Sequence, residues 1–449
     1  MKKYTILFLS IGILSMAKAE TIVIDVVEGG GNEINYPRIT LDSQNRPHIV
    51  YHRNYALKYA TIRDGIAHTE VIEEDADRYR YSIAVNSSDN PCIAYTMDHA
   101  ERLIYAFYDG SQWVKDTVDK VGYGDFQTYG IVLRMNGDTP YIVAYSADIP
   151  DHHLVMYKKD GDTWIADSLD IKPRHMQGPY LDMVIKDGIP HIFYLRDDTT
   201  DHKTGDFRIF TRRWENSWGQ EQKVASIDRQ YYDIHAKISK DGKTGIGCYS
   251  GYGGTGEYHH TYIYYDNNSW NQEYLENEII SQITKVMHYP ALTYDTLNIP
   301  HIFGEEEDTI WHYYKTESSW EREAIVIKEH LYSDVDCEID DENTYHLVFH
   351  RGGTSQSDTL YYTTSSVSGI EYKDSKEVET ITIIRKGESI VLNMNRNVNT
   401  ELEIVDISGR IRGELIVKNG TGEWKPESKG VYFLTSKNSK IPPVKVVVW

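Results

Sequence analysis

Apolar and polar residues alternate along this chain in short runs, the period-two pattern of half-buried β-strands. The runs repeat. The phrase "YPRITLDSQNRPHIVY" (Tyr36–Tyr51) returns as "YPALTYDTLNIPHIFG" (Tyr289–Gly304), with Tyr-Pro, Asp and Pro-His-Ile at identical offsets. Its second half, "PHIVY" at 47–51, recurs as "PCIAY" at 91–95, "PYIVAY" at 140–145, "PHIFY" at 190–194, "GIGCY" at 245–249, "PHIFG" at 300–304 and "YHLVF" at 345–349. Seven copies lie 44 to 55 residues apart. A Tyr-rich run follows each copy ("LKYAT", "LIYAF", "LVMYK", "RIFTR", "YIYYD", "WHYYK", "LYYTT"). After it, in copies two to six, comes a polar turn ending in Trp113, Trp164, Trp218, Trp270 or Trp320; the first copy has His68 in that place. Turns rich in Asp, Gly, Asn and Ser between alternating runs are hairpin signals.

Each unit therefore reads as four short antiparallel strands. We label them A ("RITLD" type), B ("HIVYH"), C ("LKYAT") and D ("TEVIE"). Seven such units predict a seven-bladed β-propeller. The last unit stops after Leu360–Ser366, with no turn-Trp and no D strand. An orphan strand, Thr21–Val27, precedes the first A strand and is expected to supply the missing D strand, closing the ring and removing sheet edges. The domain reading is a leader over 1–19, a propeller over 20–368, a linker over 369–377 and a C-terminal β-sandwich over 378–449.

Lys2 and Lys3, the apolar run Ile6–Met16 and the small-x-small triplet Ala17-Lys18-Ala19 predict a secretory leader cleaved after Ala19. No other apolar run approaches the roughly 20 residues of a spanning helix, so an extracellular protein is expected. The net charge is −21, which argues against nucleic acid or anionic lipid as partner. Cys92, Cys248 and Cys337, an odd and sparse set, read as buried thiols rather than a disulfide framework.

The C-terminal features "DISGRI" (Asp406–Ile411), Gly430-Val431-Tyr432-Phe433 and the terminal "KVVVW" (Lys445–Trp449) resemble the type A sorting domain of the bacterial type IX secretion system. The resemblance covers residues 378–449. It implies that this segment engages outer-membrane secretion machinery. Pro442-Pro443 and the terminal Trp depart from that pattern. The simpler reading of the segment is an accessory β-sandwich.

In a propeller the A–B and C–D hairpins share one face and the D–A and B–C loops the other. Here the hairpins are tight, and the loops vary in length and composition, which places function on the loop face. Residues repeated in every blade serve the blade. His48, His191, His301 and His346 share one B-strand position and are read as scaffold. Residues unique to one loop are free to serve a ligand. On that ground the ligand-binding candidates are Arg80, Tyr129, His153, Arg174, His175, Tyr180, Arg196, Tyr232, His259 and Arg351, to which Tyr36 and Tyr289 are added because they mark where a D–A loop enters strand A at the edge of that face. Tyr, Arg and His with interspersed acids can stack sugar rings and hydrogen-bond hydroxyls or carboxylates. No cofactor is expected. Glu305–Asp308 is the one candidate for Ca²⁺, but it lacks the spaced Asp/Asn/Gly pattern of a calcium loop and reads as a solvated charge run.

The blades resemble repeats of secreted bacterial propellers. They depart from the sialidase Asp box, since Asp109 and Asp160 directly precede their glycines. At the level of the fold the chain is similar to ulvan-lyase-type polysaccharide lyases. That similarity implies a His and a Tyr as base and acid and an Arg neutralising a uronate, a set that His175, Tyr180, Arg196, Tyr129 and Tyr231 can supply. Three readings stay open: a monomeric propeller that binds an extracellular glycan or other polymer, a polysaccharide lyase or glycoside hydrolase on the same face, and a structural or protein-interaction module.

Overall fold

A computed structural model describes residues 20–27, 34–98, 101–120, 130–146, 153–170, 181–197, 207–224, 230–251, 258–276, 288–306, 309–316, 319–327, 334–353 and 356–366 of a first compact unit (1–370). In a second unit (371–449) it describes 381–386, 389–394, 400–406, 411–419, 421–425, 430–436 and 444–448. Among these residues there is no helix, and so none long and apolar enough to cross a membrane.

The first unit is a seven-bladed β-propeller. Blade one is β2 (Ile34–Leu41), β3 (Pro47–Arg53), β4 (Ala56–Arg63) and β5 (Ile66–Glu73). Blade two is β6 (Ala76–Val85), β7 (Pro91–Met97), β8 (Arg102–Tyr108) and β9 (Trp113–Lys120). Blade three is β10 (Ile131–Asn136), β11 (Thr139–Ser146), β12 (His153–Asp160) and β13 (Thr163–Asp170). Blade four is β14 (Leu181–Lys186), β15 (Ile189–Asp197), β16 (Phe207–Arg213) and β17 (Gln222–Lys223). Blade five is β18 (Gln230–Ile238), β19 (Thr244–Gly251), β20 (Tyr258–Asp266) and β21 (Ser269–Tyr274). Blade six is β22 (His288–Tyr294), β23 (Pro300–Glu306), β24 (Thr309–Lys315) and β25 (Trp320–Ile327). Blade seven is β26 (Val335–Ile339), β27 (Thr344–Gly353) and β28 (Gln356–Ser366), and its fourth strand is β1 (Glu20–Val27), antiparallel to β28 with Glu20 opposite Thr364. The spare N-terminal strand closes the ring as expected.

The core is divided into layers between adjacent blades, each built from the facing apolar residues of two sheets. Val143, Leu154 and Met156 of blade three pack against Met183, Ile192, Phe210 and Trp214 of blade four. Ile49, Tyr51 and Ala60 of blade one pack against Ile24, Val348 and Leu360 of blade seven. Cys92, Cys248 and Cys337 are buried within these layers as thiols, and burial pushes the Cys92 thiol up to about 11.

The repeated histidine belongs to a hairpin device. Asp42 accepts backbone N–H bonds from Gln44 and Arg46, both at 2.9 Å, and Asp295 and Asp340 do the same in blades six and seven. Three residues on, Asn45, Asn298 and Asn343 take φ of 60°, 65° and 59°, a region Asn tolerates. Six residues after the Asp comes the His. His48 Nε2–H donates to Asp42 at 3.3 Å, so its Nδ1 accepts the Tyr59 hydroxyl at 2.6 Å. His346 repeats this with Asp340 and Tyr362 at 3.0 and 2.6 Å. His301 passes its bond to His312, which donates to Glu323. His191 lacks the Asp, because its hairpin is the two-residue turn Asp187-Gly188 with φ of 52° and 78°. Neighbouring hairpins are tied together, as in Ser43 to Asp89 (2.6 Å), Ser87 to Asp138 (2.6 Å), Asp241 N–H to Asn298 (3.1 Å) and Thr296 N–H to Asn343 (2.8 Å). This face is scaffold.

Seams between blades are polar at their outer edge. The D-strand residue opposite the middle of strand C is Glu70, Asp116, Asp167 and Glu273 in blades one, two, three and five. Each carboxylate accepts an indole N–H from the following blade: Trp113 (2.9 Å), Trp164 (2.9 Å), Trp214 (2.8 Å) and Trp320 (3.0 Å). Three residues further along, Glu73 and Asp119 accept Tyr95 and Tyr157 hydroxyls. Asp25 on β1 holds the matching place and accepts the Tyr51 hydroxyl at 2.7 Å, Lys58 at 2.5 Å and Arg53 at 3.2 Å.

In the second unit one sheet joins β29 (Ile381–Lys386), β30 (Ser389–Met394) and β33 (Thr421–Trp424), and another β32 (Ile411–Val417), β31 (Thr400–Asp406), β34 (Gly430–Ser436) and β35 (Val444–Val448). Leu402, Ile404, Leu415 and Val417 are buried.

Asp25 is 11% exposed, and Asp25→Ala leaves Lys58 in the closing seam without its counter-ion. We expect a loss of about 3 kcal/mol in urea unfolding. A second expectation concerns pH. Burial holds His312 and His350 down at about 4, so both are neutral in the folded state. The unfolded chain protonates near 6.5, so stability is complete above that value and declines as the pH falls toward 4, on the order of 3 kcal/mol per group. The Asp25 and Asp42 carboxyls, held below their usual range despite burial by hydrogen bonds from Lys58, Tyr51 and the Arg46 amide, add to the loss at lower pH. The urea midpoint should therefore drop steadily between pH 7 and pH 4; a flat profile would refute this account.

Candidate functional site

The A strands of all seven blades surround a central cavity of about 190 Å³. Each A strand is the inner edge of its sheet, with N–H groups that no strand of the same sheet can satisfy. Side chains of the adjacent blade satisfy several of them. Asp182 accepts its own neighbour Met183 N–H at 2.7 Å and Ala236 N–H of blade five at 2.6 Å. Asp336 does the same with Cys337 (3.0 Å) and Ile39 of blade one (2.9 Å). His235 Nδ1 accepts Leu292 N–H of blade six at 3.0 Å, and Thr293 accepts Ile339 N–H of blade seven at 3.2 Å.

The strand register shows which of these positions are equivalent. Arg38, Ser82, Val132, Asp182, His235, Ala291 and Asp336 face the same B-strand position in their seven blades. All line the cavity. Scaffold positions repeat their residue type; these do not. Two residues on, Arg134, Lys237 and Glu338 add charge to the wall. Arg134 bonds Asp182 at 2.7 Å, and Lys237 reaches past blade six to Glu338 of blade seven. Burial, reinforced by the cations Lys237, Arg134 and Arg38, holds His235 well below its ordinary value, so it is neutral at pH 7. Burial and the charge of Glu338 raise Asp336, against the pull of Arg38 and Lys237.

Just before these positions the A strands of blades one, five and six bulge, between Asn35 and Arg38, Tyr232 and His235, and His288 and Ala291. A bulge re-aims side chains at a sheet rim. Tyr36 lies in the first of them with φ of 50° and lines the cavity, and Tyr81 donates to the Asn35 and Tyr36 carbonyls at 2.8 and 2.9 Å, pinning the bulge. Pro37, lacking an N–H, suits an edge position.

Of the sequence-predicted residues, the structure brings Tyr36 to this cavity. Arg80, Tyr231, Tyr232 and Tyr289 lie in the first turns of A strands, where the backbone but not the side chain is described. Tyr129, Arg174, His175 and Tyr180 lie outside the described residues, as do Glu307 and Asp308 of the acidic run. The other candidates stand at the B–C ends of separate blades. His153 opens strand C of blade three, with a buried Nδ1 that has no hydrogen-bond partner. Arg196 bonds Glu221 at 2.6 Å and lies 3.8 Å above the Phe210 ring. His259 stacks on Tyr274 at 4.2 Å. Arg351 is half-buried opposite Thr359. Among the described residues no group of three or more His, Cys, Asp or Glu is placed to hold a metal ion. The residues that sequence reasoning passed over are Arg38, Arg134, Asp182, His235, Lys237, Asp336 and Glu338. Their signal was available: charged residues at a fixed place in short apolar strands, different in each blade.

No protein-family model matches the chain, and no curated protein sequence matches it. Among solved structures it is similar to the polysaccharide lyase Uly1, with a TM-score of 0.52 and 12% identity over 77% of this chain and 92% of that one. It is similar to a PL25 ulvan lyase, with a TM-score of 0.52 and 9% identity over 76% of this chain and 95% of that one. At these identities the likeness is one of fold.

Asp336→Ala orphans the inner-edge N–H of Ile39 at the closing seam. It should lower stability by about 2 kcal/mol in urea unfolding, and Asp336→Asn, which keeps one acceptor oxygen, should lose less.

Proposed function

We propose that the protein is exported and acts outside the cell as a glycan-binding propeller, with the ligand on the D–A/B–C face over the mouth of the central cavity. One observation carries this reading. On a frame whose other positions repeat, the A-strand positions around the cavity are different in each blade, charged in several, and flanked by bulged Tyr36. A recognition surface needs that diversity, and a scaffold does not. The leader over 1–19 and the resemblance of 378–449 to a sorting domain support export. The similarity in fold to two polysaccharide lyases makes a polysaccharide the natural ligand class to test first.

Binding is favoured over a lyase reaction by the chemistry of His235, the one histidine among the described residues of the cavity wall. His235 Nδ1 accepts the Leu292 N–H, so the proton of the neutral ring sits on Nε2. No lone pair is left to abstract a proton from a uronate. A lyase reaction would instead run through His175, Tyr180, Tyr129 and Tyr231 with Arg196 as the neutralising cation.

A glycan array combined with an ultraviolet assay for unsaturated uronate products decides between these readings. The expected result is saturable binding without product. Arg38→Ala should weaken binding about tenfold, one charge-assisted hydrogen bond. Release of unsaturated product would overturn the binding reading in favour of the lyase, and neither binding nor turnover would leave a structural module.

A further inference from the structure

The seam between blades four and five breaks the pattern of the others. Its D-strand position, opposite Thr211, is Gln222 where blades one, two, three and five have Glu or Asp, and that D strand is only two residues long. The tryptophan of the following blade is still present. Trp270 Nε1 is buried and has no hydrogen-bond partner. Strand C has changed too: Tyr59, Tyr105 and Tyr262 meet the tryptophan of the next blade edge-on at 5.3, 5.5 and 5.4 Å, and Thr211 stands in their place. The Thr211 hydroxyl is buried and likewise without a partner. Phe193 of strand B meets the Trp270 ring edge-on instead, at 5.9 Å, and a cleft of about 650 Å³ lined by Phe193, Thr211, Gln222 and Trp270 is open beside them.

Three features of this cleft bear on its ligand. Two buried donors, an indole N–H and a hydroxyl, have no acceptor, and such groups are costly to leave unmade. Three cations, Lys186, Arg212 and Arg213, line the wall, and burial, with Arg213 and Lys186 beside it, lowers His191 to about 4. Lys186 is engaged with the Gly242 carbonyl at 2.8 Å, and exposed Arg213 remains available to a ligand. The acids Asp187 and Glu215 also border the cleft, both exposed to solvent. The cleft is lined by the A–B hairpin of blade four (Lys186, Asp187) and the C–D turns of blades four and five, so it lies on the face opposite the proposed glycan surface.

We propose that this cleft is a second binding site, for a small ring-shaped carboxylate. The ligand's carboxylate takes the place of the missing D-strand acid, accepting from Trp270 Nε1–H and the Thr211 hydroxyl with Arg213 as counter-charge, and its ring lies in the cleft beside Phe193. A uronate sugar and an aromatic acid share this chemistry.

The test is a titration of the full chain, ¹⁵N-labelled on its tryptophan indoles, with glucuronate, with benzoate, and with glucose as the neutral control. The Trp270 resonance, assigned through Trp270→Phe, should shift saturably with one or both acids and not with glucose; which acid binds more tightly distinguishes the sugar from the aromatic source. Thr211→Val keeps the shape but removes the hydroxyl and should weaken binding about tenfold, one hydrogen bond to a charged group. Gln222→Glu restores the internal acceptor. It should abolish the shift and raise the unfolding midpoint, a readout that a merely structural role for Gln222 in an unoccupied cleft would not couple to ligand. A Trp270 resonance unmoved by either acid, or one that shifts equally in Gln222→Glu, overturns the proposal.

Discussion

The inner edge of each sheet is the constraint on which the rest of this molecule depends. Seven sheets in a ring leave seven A strands whose outward N–H groups find no partner within their own sheet, and burying such groups unpaired is costly. The chain answers from the side, with a carboxylate, an imidazole or a hydroxyl of the neighbouring blade: Asp182 to Ala236, His235 to Leu292, Thr293 to Ile339 and Asp336 to Ile39. Polar residues are thereby committed to the channel wall. Charges in that wall then need partners: Arg134 pairs with Asp182, and Lys237 with Glu338. The charged cavity follows from the edge problem, and any recognition there is built from groups the fold already requires.

The outer seams solve a related problem by other means. A tryptophan at the start of strand D fills the gap between diverging blades, and its indole N–H must be satisfied as it is buried. A D-strand acid of the preceding blade does so at three seams; at the seam between blades three and four Asp167 takes the indole of Trp214, just after strand C, while Trp218 donates to the Asp167 carbonyl. The rule holds in its exceptions. Blade seven has no such tryptophan, and the corresponding acid of blade six, Glu323, turns to His312 of its own blade instead. Blade one has His68 there, and β1 accordingly carries Ile22 opposite Tyr362. Acid and indole come and go together, except between blades four and five.

Much of the fold was legible because it is written seven times. Repetition exposed the strands, the hairpins and the missing D strand of blade seven. It also demoted His48, His301 and His346 to scaffold, where the structure shows each hydrogen-bonded within its blade. Asp25 could have strengthened the assignment of the closing strand, since it stands where Glu73 and Asp119 stand in blades one and two. The channel site was less legible. Loops differ in length and draw the eye, whereas Arg38, Asp182, His235 and Asp336 occupy one position of short apolar strands and are seen as a set only once the register is known. The same holds for Gln222, whose oddity depends on knowing that it faces Thr211 and precedes the blade of Trp270.

The two faces of the ring differ for a physical reason. On the hairpin face, Asx turns fix the A–B connections of blades one, two, six and seven, and hydrogen bonds pass from hairpin to hairpin, so that Ser43, Ser87, Asp241 and Thr296 each lean on the next blade. A hairpin held at both its own turn and its neighbour's has little freedom to adapt, and it makes a poor surface for varied recognition. The D–A and B–C connections carry no such repeated device in their sequences and vary freely in length. The seam between blades four and five is the exception on the rigid face: its opening comes from the loss of an acid and a ring, within a frame that the hairpin contacts still hold. A cavity made by deletion in a rigid frame keeps its shape when empty, and pre-formed shape with unsatisfied donors is what a small, directional ligand requires.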